Sequence, residues 1–276
     1  MKISVIIPTY NEQETISACL DSLLNQSRKA EIIVVDDGSG DNTLDILRRY
    51  QQQGKITLLT QKHQGPAIAR NKAASVARGE ILVFADADMT FDKDYLQKLV
   101  APIEAGKVIG TYTTAEKVSN WESVWARCWN IEEGWEPKMR FPSNPPKWGT
   151  DFRAILKTKF VEVDGFDDIG YTDTWTLAKK LDKKPLATNA VCYHHNPDNL
   201  LEVCRQAKWV AKRPYKWGHV GVLFALIRTS LPVSVVVGLA KSILNLQPAF
   251  LIFKITYDLG RFVGIIHLLV SNNTAK

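Results

Sequence analysis

The chain has 276 residues, of which 45% are hydrophobic and 23% charged, and its formal net charge at pH 7 is +6. This length and composition are sufficient for one complete α/β core plus an appendage, and the sequence contains neither internal repeats nor a low-complexity linker. The cysteines show no disulfide or metal-ligand spacing, which predicts free thiols in a reducing compartment; they are Cys19, Cys128, Cys192 and Cys204.

Strands and helices alternate four times in the first ninety residues. Short apolar runs predict buried strands at 3–7, 31–36, 56–60 and 81–86. Apolar residues at helical spacing predict helices over 14–24, 41–50 and 65–77. Such alternation with short connections predicts right-handed βαβ units and a mostly parallel sheet, which is an α/β fold.

Two of these predicted strands end in pairs of carboxylates. Asp36 and Asp37 follow the second strand, and Asp86 and Asp88 follow the fourth. Chemistry in such sheets is placed at the carboxyl ends of the strands. Two carboxylates there repel each other unless a cation lies between them, and oxygen ligands suit Mg²⁺ or Mn²⁺ that carries phosphate oxygens. The pairs therefore indicate either a metal-dependent enzyme with a phosphorylated donor or simple helix capping.

Five motifs in sequence order resemble those of the family 2 glycosyltransferases with the GT-A fold. They lie at 6–12, 34–39, 65–71, 86–88 and 163–173, and the resemblance covers roughly residues 1–210. It implies a GT-A (Rossmann-like) α/β fold, with a mixed, mostly parallel sheet flanked by helices. Apolar helices at the C-terminus are predicted separately, from the hydrophobic pattern of roughly the last 60 residues. The resemblance also implies transfer of a sugar from a nucleotide-sugar to an acceptor hydroxyl or phosphate, with inversion and with a divalent metal, Mg²⁺ or Mn²⁺.

The resemblance assigns a donor site residue by residue. Asp37 would hydrogen-bond the base, Asp86 would lie near the ribose and the metal, and Asp88 would bind the metal. The other donor-binding residues that these motifs imply are Pro8, Thr9, Tyr10, Glu12 and Arg70. Physical chemistry agrees, because a metal and basic groups stabilise the charge that grows on the departing nucleoside diphosphate.

The resemblance implies Asp173 as the general base for in-line attack. The family usually has an acidic pair here, whereas this chain has Thr172 before Asp173. Asp173 is also a good cap for a helix predicted over 174–181.

Two further residues are implied near the donor. The segment 148–153 resembles the family's floor beneath the donor sugar, where Asp151 either binds a donor hydroxyl or forms a strand-end turn. His194 lies three residues before Pro197, as in many relatives. It either completes the metal site or contacts the diphosphate, unless it is structural; His195 is the weaker candidate.

A basic box follows these residues. Arg205, Lys208 and Trp209 resemble the Gln/Arg-x-x-Arg-Trp box of membrane-associated members, with Lys208 in place of the common arginine. Arg205 and Lys208 share one helix face and would clamp the diphosphate, and Trp209 would stack near the acceptor sugar. The alternative is a solvated basic helix face.

Two apolar segments occupy the C-terminal part of the chain. Residues 220–240 contain one charge, Arg228, and residues 248–270 contain three, Lys254, Asp258 and Arg261. These three share one helix face, which favours an amphipathic helix in the membrane interface, and the spacing of Lys254 and Asp258 also allows an i,i+4 pair. Both segments are long enough to span a bilayer, but a charge at mid-span costs about 2.5–3.5 kcal/mol. We expect a catalytic domain over 1–212 and a membrane-attaching tail over 213–276, as interfacial helices or a hairpin. The alternative is a pair of core helices.

The basic excess lies largely between Lys179 and Lys216. It suits anionic lipid headgroups or a lipid-linked acceptor, and no nucleic-acid motif accompanies it. The first strand begins at Ile3, without a signal peptide, so we expect the cytoplasmic face of the cell membrane.

The predicted function is an inverting, metal-dependent glycosyltransferase. It would use a UDP- or GDP-sugar donor and a lipid-linked or glycan acceptor at the membrane surface. Two alternatives stay open. One is a polyprenyl-phosphate glycosyltransferase, and the other is a non-catalytic scaffold that binds a nucleotide-sugar.

Overall fold

The computed structural model describes residues 1–142, 144–169, 174–213 and 215–271, except for the side chain of Ser271. These residues divide into two compact units. The first contains Met1–Lys117, Asn144–Asp168 and the chain that leads to His194. The second contains residues 118–142 and the chain that begins at His195.

The described residues form ten strands and eleven helices. The strands are β1 (Ile3–Thr9), β2 (Glu31–Asp36), β3 (Thr57–Thr60), β4 (Ile81–Phe84), β5 (Met89–Phe91), β6 (Gly110–Thr113), β7 (Glu116–Val118), β8 (Ala154–Leu156), β9 (Leu186–Thr188) and β10 (Cys192–His194). The helices are α1 (Ile16–Leu24), α2 (Thr43–Gln52), α3 (Pro66–Val76), α4 (Tyr95–Glu104), α5 (Val124–Glu133), α6 (Lys157–Glu162), α7 (Thr176–Leu181), α8 (Leu200–Val210), α9 (His219–Arg228), α10 (Leu231–Leu244) and α11 (Phe250–Ser271).

A seven-stranded sheet forms the centre of the first unit, in the order β3-β2-β1-β4-β8-β6-β9. The strands β3, β2, β1 and β4 are parallel, β8 is antiparallel to both of its neighbours, and β9 is parallel to β6. This confirms the predicted mixed, mostly parallel sheet. Thr9 lies opposite Asp36, and Ile6 lies opposite Phe84, so β1, β2 and β4 deliver their following residues to one edge.

Both faces of this sheet are buried. Val5, Ile7 and Val34 belong to one apolar cluster, and Ile6 and Ile33 belong to the other. Successive side chains of a strand point to opposite faces, so a strand covered on both sides needs a continuous apolar run. This is why the predicted strands were recognisable as unbroken apolar segments.

A second sheet has three strands in the order β5-β10-β7. Its strand β10 is the last strand of the first unit and lies beside β5, which follows Asp88. β10 is antiparallel to β5, with His194 opposite Met89. Because Met89 directly follows Asp88, this register places His194 beside Asp88. The chain from Leu186 to His194 contains two strands, β9 and β10, which belong to different sheets.

The second unit is helical. Within it α11 packs on α8, α10 and α5, around an apolar cluster of Cys128, Trp129, Val203, Ala207, Phe250, Phe253 and Tyr257. Gly260 and Gly264 of α11 face α8 so closely that a Cβ atom on either would overlap a backbone carbonyl oxygen, that of Cys204 or Lys208 respectively. Small residues four apart permit this approach of two helix backbones.

The first C-terminal apolar segment is divided into α9 and α10, whose axes differ by 59°. The break falls at Thr229 and Ser230, and Pro232 occupies the first turn of α10, where its missing N–H costs no helical hydrogen bond. Among the described helices none is by itself both long and apolar enough to cross a bilayer, while the bent α9–α10 pair meets that length and composition.

The structure arranges the charges of α11 differently from the sequence expectation. Lys254 and Asp258 form the predicted i,i+4 pair, with Nζ 3.1 Å from Oδ1. Both are buried, with 4% and 1% exposure, and do not lie on the polar outer face of an interfacial helix. The compact units also differ from a division at residue 212, because α5 and α8 belong with α9–α11. The functional boundary at 212 stays a prediction.

Candidate active site

The ends of β1 and β2 form the first part of the candidate site. Thr9 accepts a hydrogen bond at its carbonyl from the Asp37 N–H at 2.8 Å. Asp36 Oδ2 accepts from the N–H groups of Gly38 and Ser39, each at 3.3 Å. Asp36 Oδ1 and Thr9 Oγ1 are buried and have no hydrogen-bond partner among the described residues. Such atoms are costly in a folded protein unless a ligand or an ordered water satisfies them.

The carboxylate of Asp37 organises the loop that precedes α3. Its Oδ1 accepts from Gln61 Nε2 at 2.8 Å and from the Gln64 N–H at 2.9 Å. Its Oδ2 lies 2.9 Å from His63 Nδ1 and accepts from the Gly65 N–H at 2.8 Å. A carboxylate has about four acceptor positions, so this loop occupies them all. The predicted hydrogen bond to a nucleobase would have to compete with these groups, and it stays a prediction.

An aromatic pair flanks this loop. The rings of Tyr10 and His63 are stacked, with centroids 4.0 Å apart and an interplanar angle of 21°.

Glu12 and Pro8 lie on either side of Tyr10 in the chain. The Glu12 carboxylate accepts a hydrogen bond from Thr15 Oγ1 at 2.8 Å, and the Glu12 N–H donates to Thr43 Oγ1 at 2.8 Å. Pro8 is half-buried within β1. The structure thus brings Pro8, Thr9, Tyr10 and Asp37 to one edge and uses Glu12 at the start of α1.

Two arginines hold Asp86, which follows β4. Arg70 Nη2 donates to Asp86 Oδ1 at 2.9 Å, and Arg153 Nη1 donates to Oδ2 at 2.8 Å. Burial alone would raise the pKa of this carboxyl, but the guanidinium groups of Arg153 and Arg70 outweigh it and hold the pKa well below its usual range. Asp86 is therefore favoured in its ionised form and anchors the two arginines.

Asp88 meets His194 on the neighbouring β10. His194 Nε2 lies 3.1 Å from Asp88 Oδ2, and its Nδ1 lies 2.7 Å from Glu116 Oε1. Glu116 Oε2 is in turn 3.6 Å from Arg153 Nη2. A continuous chain of charged and polar side chains results, in the order Arg70, Asp86, Arg153, Glu116, His194 and Asp88.

This donor set can be compared with what Mg²⁺ or Mn²⁺ requires. Among the described residues no group of three or more His, Cys, Asp or Glu side chains is arranged to hold an ion. One carboxylate and one imidazole do meet, in Asp88 and His194, whereas both oxygens of Asp86 contact arginines. Mg²⁺ is commonly held by one or two protein ligands plus substrate phosphates and water. Asp88 and His194 fit that pattern, and Asp86 as a direct ligand stays a prediction.

Asp151 lies two residues before Arg153, at the entrance to β8. Burial raises the pKa of its carboxyl; Arg153 and Arg70 oppose this rise, while Asp86 and Glu116 add to it. It therefore belongs to the same electrostatic environment as the network. Its predicted contact with a donor hydroxyl stays a prediction.

The remaining predicted residues lie elsewhere in the chain. Arg205, Lys208 and Trp209 are on α8, in the second unit; Arg205 is exposed and the other two are half-buried. The contacts of Arg205 and Lys208 with the diphosphate of the donor, and of Trp209 near the sugars, stay predictions. Asp173, the predicted general base, lies outside the described residues.

Sequence reasoning gave no role to three residues of this site: Glu116, Arg153 and His63. Arg153 is the last residue of the segment 148–153. It lies two residues after Asp151, the spacing of side chains on one face of a strand, and this spacing could have predicted that Arg153 lies on the same side as Asp151. Glu116 stands in a strand of three residues, and His63 in a loop. Nothing local marks these two as partners of His194 or Tyr10.

Comparisons with known proteins find relatives in sequence and in fold. Over 94 residues the chain is 44% identical to the poly(ribitol-phosphate) beta-glucosyltransferase of Bacillus spizizenii, a match that covers 32% of this chain and 15% of that protein. The chain thus spans only a small part of that relative.

Two solved structures are similar in fold. The mannosyltransferase PcManGT from Pyrobaculum calidifontis, in complex with GDP-Man and Mn²⁺, has a TM-score of 0.60 at 20% identity, over 98% of this chain and 87% of that one. Staphylococcus aureus TarS 1–349 in complex with UDP-GlcNAc has a TM-score of 0.57 at 17% identity, over 99% and 93%.

The sequence profile described as "Glycosyl transferase family 2" matches residues 4–160, more than half of the chain. That range contains the strand edge with Asp37, Asp86, Asp88 and Arg153. The predicted GT-A fold and enzyme class are confirmed at this level: the chain belongs to glycosyl transferase family 2.

Proposed function

We propose that this protein transfers a sugar from a UDP- or GDP-sugar to an acceptor in a reaction that depends on Mg²⁺ or Mn²⁺. The observation that carries the proposal is the meeting of Asp88 and His194, 3.1 Å apart, at one end of the network that Arg70 and Arg153 form with Asp86. The donor class is supported by the solved relatives, whose names include UDP-GlcNAc in one case and GDP-Man with Mn²⁺ in the other.

The residues of this site have separate tasks in the proposed reaction. Asp88 and His194 would hold the metal ion, which when bound supplies positive charge to the diphosphate of the donor. Arg70 and Arg153 fix the ionised Asp86, and Glu116 orients the His194 ring through Nδ1. A preorganised arrangement of this kind stabilises developing charge without reorganisation during the reaction.

We propose further that transfer inverts the anomeric configuration, with Asp173 as the general base on the face opposite the leaving group. The sequence resemblance supports this assignment. A lipid-linked or glycan acceptor is the acceptor class that the basic, apolar C-terminal chain favours.

The test is release of nucleoside diphosphate from a panel of UDP- and GDP-sugars, with Mn²⁺ or with EDTA. We expect turnover of one donor with Mn²⁺, loss with EDTA, and a decrease of roughly a hundredfold or more in Asp88→Asn. Asp45→Asn is the matched control, since Asp45 is exposed on α2 and pairs only locally, with Arg48. Turnover that EDTA leaves unchanged would contradict metal dependence.

The acceptor and stereochemistry need separate measurements. Product formed with polyprenyl phosphate alone would identify the polyprenyl-phosphate glycosyltransferase. Donor binding without turnover, even with membrane lipid extract added, would identify the scaffold. The anomeric configuration of the product, read by NMR, tests inversion, and Asp173→Asn is expected to slow transfer with donor affinity retained.

A further inference from the structure

The helices α9–α11 expose large apolar side chains, which we call the apolar face. Leu223 and Phe224 of α9, Val236 and Ile243 of α10, and Leu259 and Phe262 of α11 are between 40% and 72% exposed. All three helices pack on one another. Soluble monomers rarely expose large contiguous apolar patches, and those that exist usually mark a binding surface.

Beside the apolar cluster around Phe253, the interior of the same helices contains a group of paired charges. Lys254 Nζ lies 2.7 Å from Glu132 Oε1 and 3.1 Å from Asp258 Oδ1, and Ser234 Oγ donates to Asp258 Oδ2 at 2.8 Å. Lys241 Nζ lies 3.0 Å from Glu132 Oε2. Ionisable groups that face the interior and pair with one another are the arrangement found where the exterior of a bundle is lipid.

The charge of this part of the chain distinguishes between two possible binding partners of the apolar face, a second copy of the chain and a lipid surface. The longer stretch that carries these helices, from Val203 on α8 to Lys276, contains ten basic residues and a single acidic residue, Asp258, which is buried. Lys216, three residues before α9, and Arg228, the last residue of α9, are exposed. A second copy of the chain would present charges of the same sign, whereas an anionic lipid surface is complementary to both the charge and the apolar side chains.

We propose that the apolar face of α9–α11 binds the surface of an anionic lipid bilayer, into which its apolar side chains insert. Lys216 and Arg228 lie at the level of the headgroups. This inference does not depend on the proposed transfer reaction.

The test uses the full chain and sedimentation with vesicles of phosphatidylcholine, alone or mixed with phosphatidylglycerol. We expect binding that is stronger to the anionic vesicles. The double variant Leu223→Glu/Phe224→Glu should weaken binding at least tenfold, because two apolar side chains no longer leave water. Lys216→Gln/Arg228→Gln should weaken binding to anionic vesicles about 25-fold, or about fivefold per charge, since each basic residue near such a surface contributes about 1 kcal/mol.

The matched control is Val76→Glu/Val161→Glu, on exposed apolar residues of α3 and α6 in the first unit, which should bind vesicles like the wild type. Quenching of tryptophan fluorescence by brominated lipids reports insertion. Nucleotide binding by every variant shows that folding and the donor site are intact.

Three results would overturn the inference. The first is absence of vesicle binding, and the second is equal binding to neutral and anionic vesicles. The third is a concentration-dependent dimer, seen by sedimentation velocity, that Leu223→Glu/Phe224→Glu abolishes while vesicle binding persists.

Discussion

Arg153 donates from Nη1 to Asp86 Oδ2 at 2.8 Å, while its Nη2 lies 3.6 Å from Glu116 Oε2. One guanidinium thereby joins the residue that follows β4 to a residue of β7. Its planar fork presents donors in two directions at once, which a lysine ammonium cannot do with the same geometry. Asp86 and Glu116 are therefore held together by the side chain of Arg153, which belongs neither to β4 nor to β7.

Removal of the Arg153 guanidinium should leave an excess of negative charge at Asp86 and Glu116, whose side chains are partly buried. We expect Arg153→Ala to lower the free energy of unfolding by about 3 kcal/mol, because a buried ion pair that loses one partner is strongly destabilising. Urea denaturation measures this. Arg48→Ala is the control, because Arg48 forms an exposed pair with Asp45 and should change the free energy by less than about 1 kcal/mol. Equal effects of the two substitutions would contradict the bridging role.

Asp37→Asn tests whether that carboxylate organises the loop at 61–65. An amide offers one acceptor and one donor group, so its NH₂ would face two of the present donors. We expect a loss of about 2 kcal/mol in the free energy of unfolding, with weaker nucleotide binding as a consequence. Asp94→Asn is the control, because Asp94 is exposed and its side chain makes no capping hydrogen bond. Weaker nucleotide binding at unchanged stability would instead support a direct contact with the base.

Gly260→Ala and Gly264→Ala test the close packing of α11 on α8. In the interior of a solvent-exposed helix, replacement of glycine by alanine stabilises the helix by roughly 1 kcal/mol. Here the new Cβ would overlap the carbonyl oxygen of Cys204 or Lys208, so we expect both substitutions to lower the melting temperature. Leu259→Ala is the control on the exposed side of α11. A rise in melting temperature in either glycine variant would show that the helices are farther apart.

The ion cluster around Glu132 predicts a dependence of stability on pH. Burial raises the pKa of the Glu132 carboxyl, but Lys254 and Lys241 outweigh it, so that the pKa is lowered overall. A carboxyl with a lowered pKa in the folded state stabilises above its unfolded pKa of about 4.3, and this stabilisation is lost as the pH falls through the folded value.

Comparison with Glu132→Gln isolates this contribution. Between about pH 6 and about pH 3 the free energy of unfolding of the wild type should fall more steeply than that of the variant, as measured by urea denaturation across the pH range. Parallel curves would mean that Glu132 has the same pKa in both states.

The sequence by itself determined the strands β1, β2 and β4 and the carboxylates that end two of them. Each strand is a continuous apolar run because both faces of the sheet are buried, and a local pattern reports that directly. The motifs likewise indicated the family, since each consists of neighbouring residues and their order can be read along the chain.

Only the tertiary structure decided which side chains meet. His194 reaches Asp88 through the antiparallel register of β10 on β5, and Glu116 enters from a third strand of the same sheet. The charged residues of α11 are a second example. Helical periodicity predicts that they share one face of the helix, but it does not predict which residues pack against that face. Lys254 and Asp258 face the interior because Glu132 and Ser234, distant in sequence, satisfy them there. Pairing between distant residues depends on topology, and no local pattern in the chain contains it.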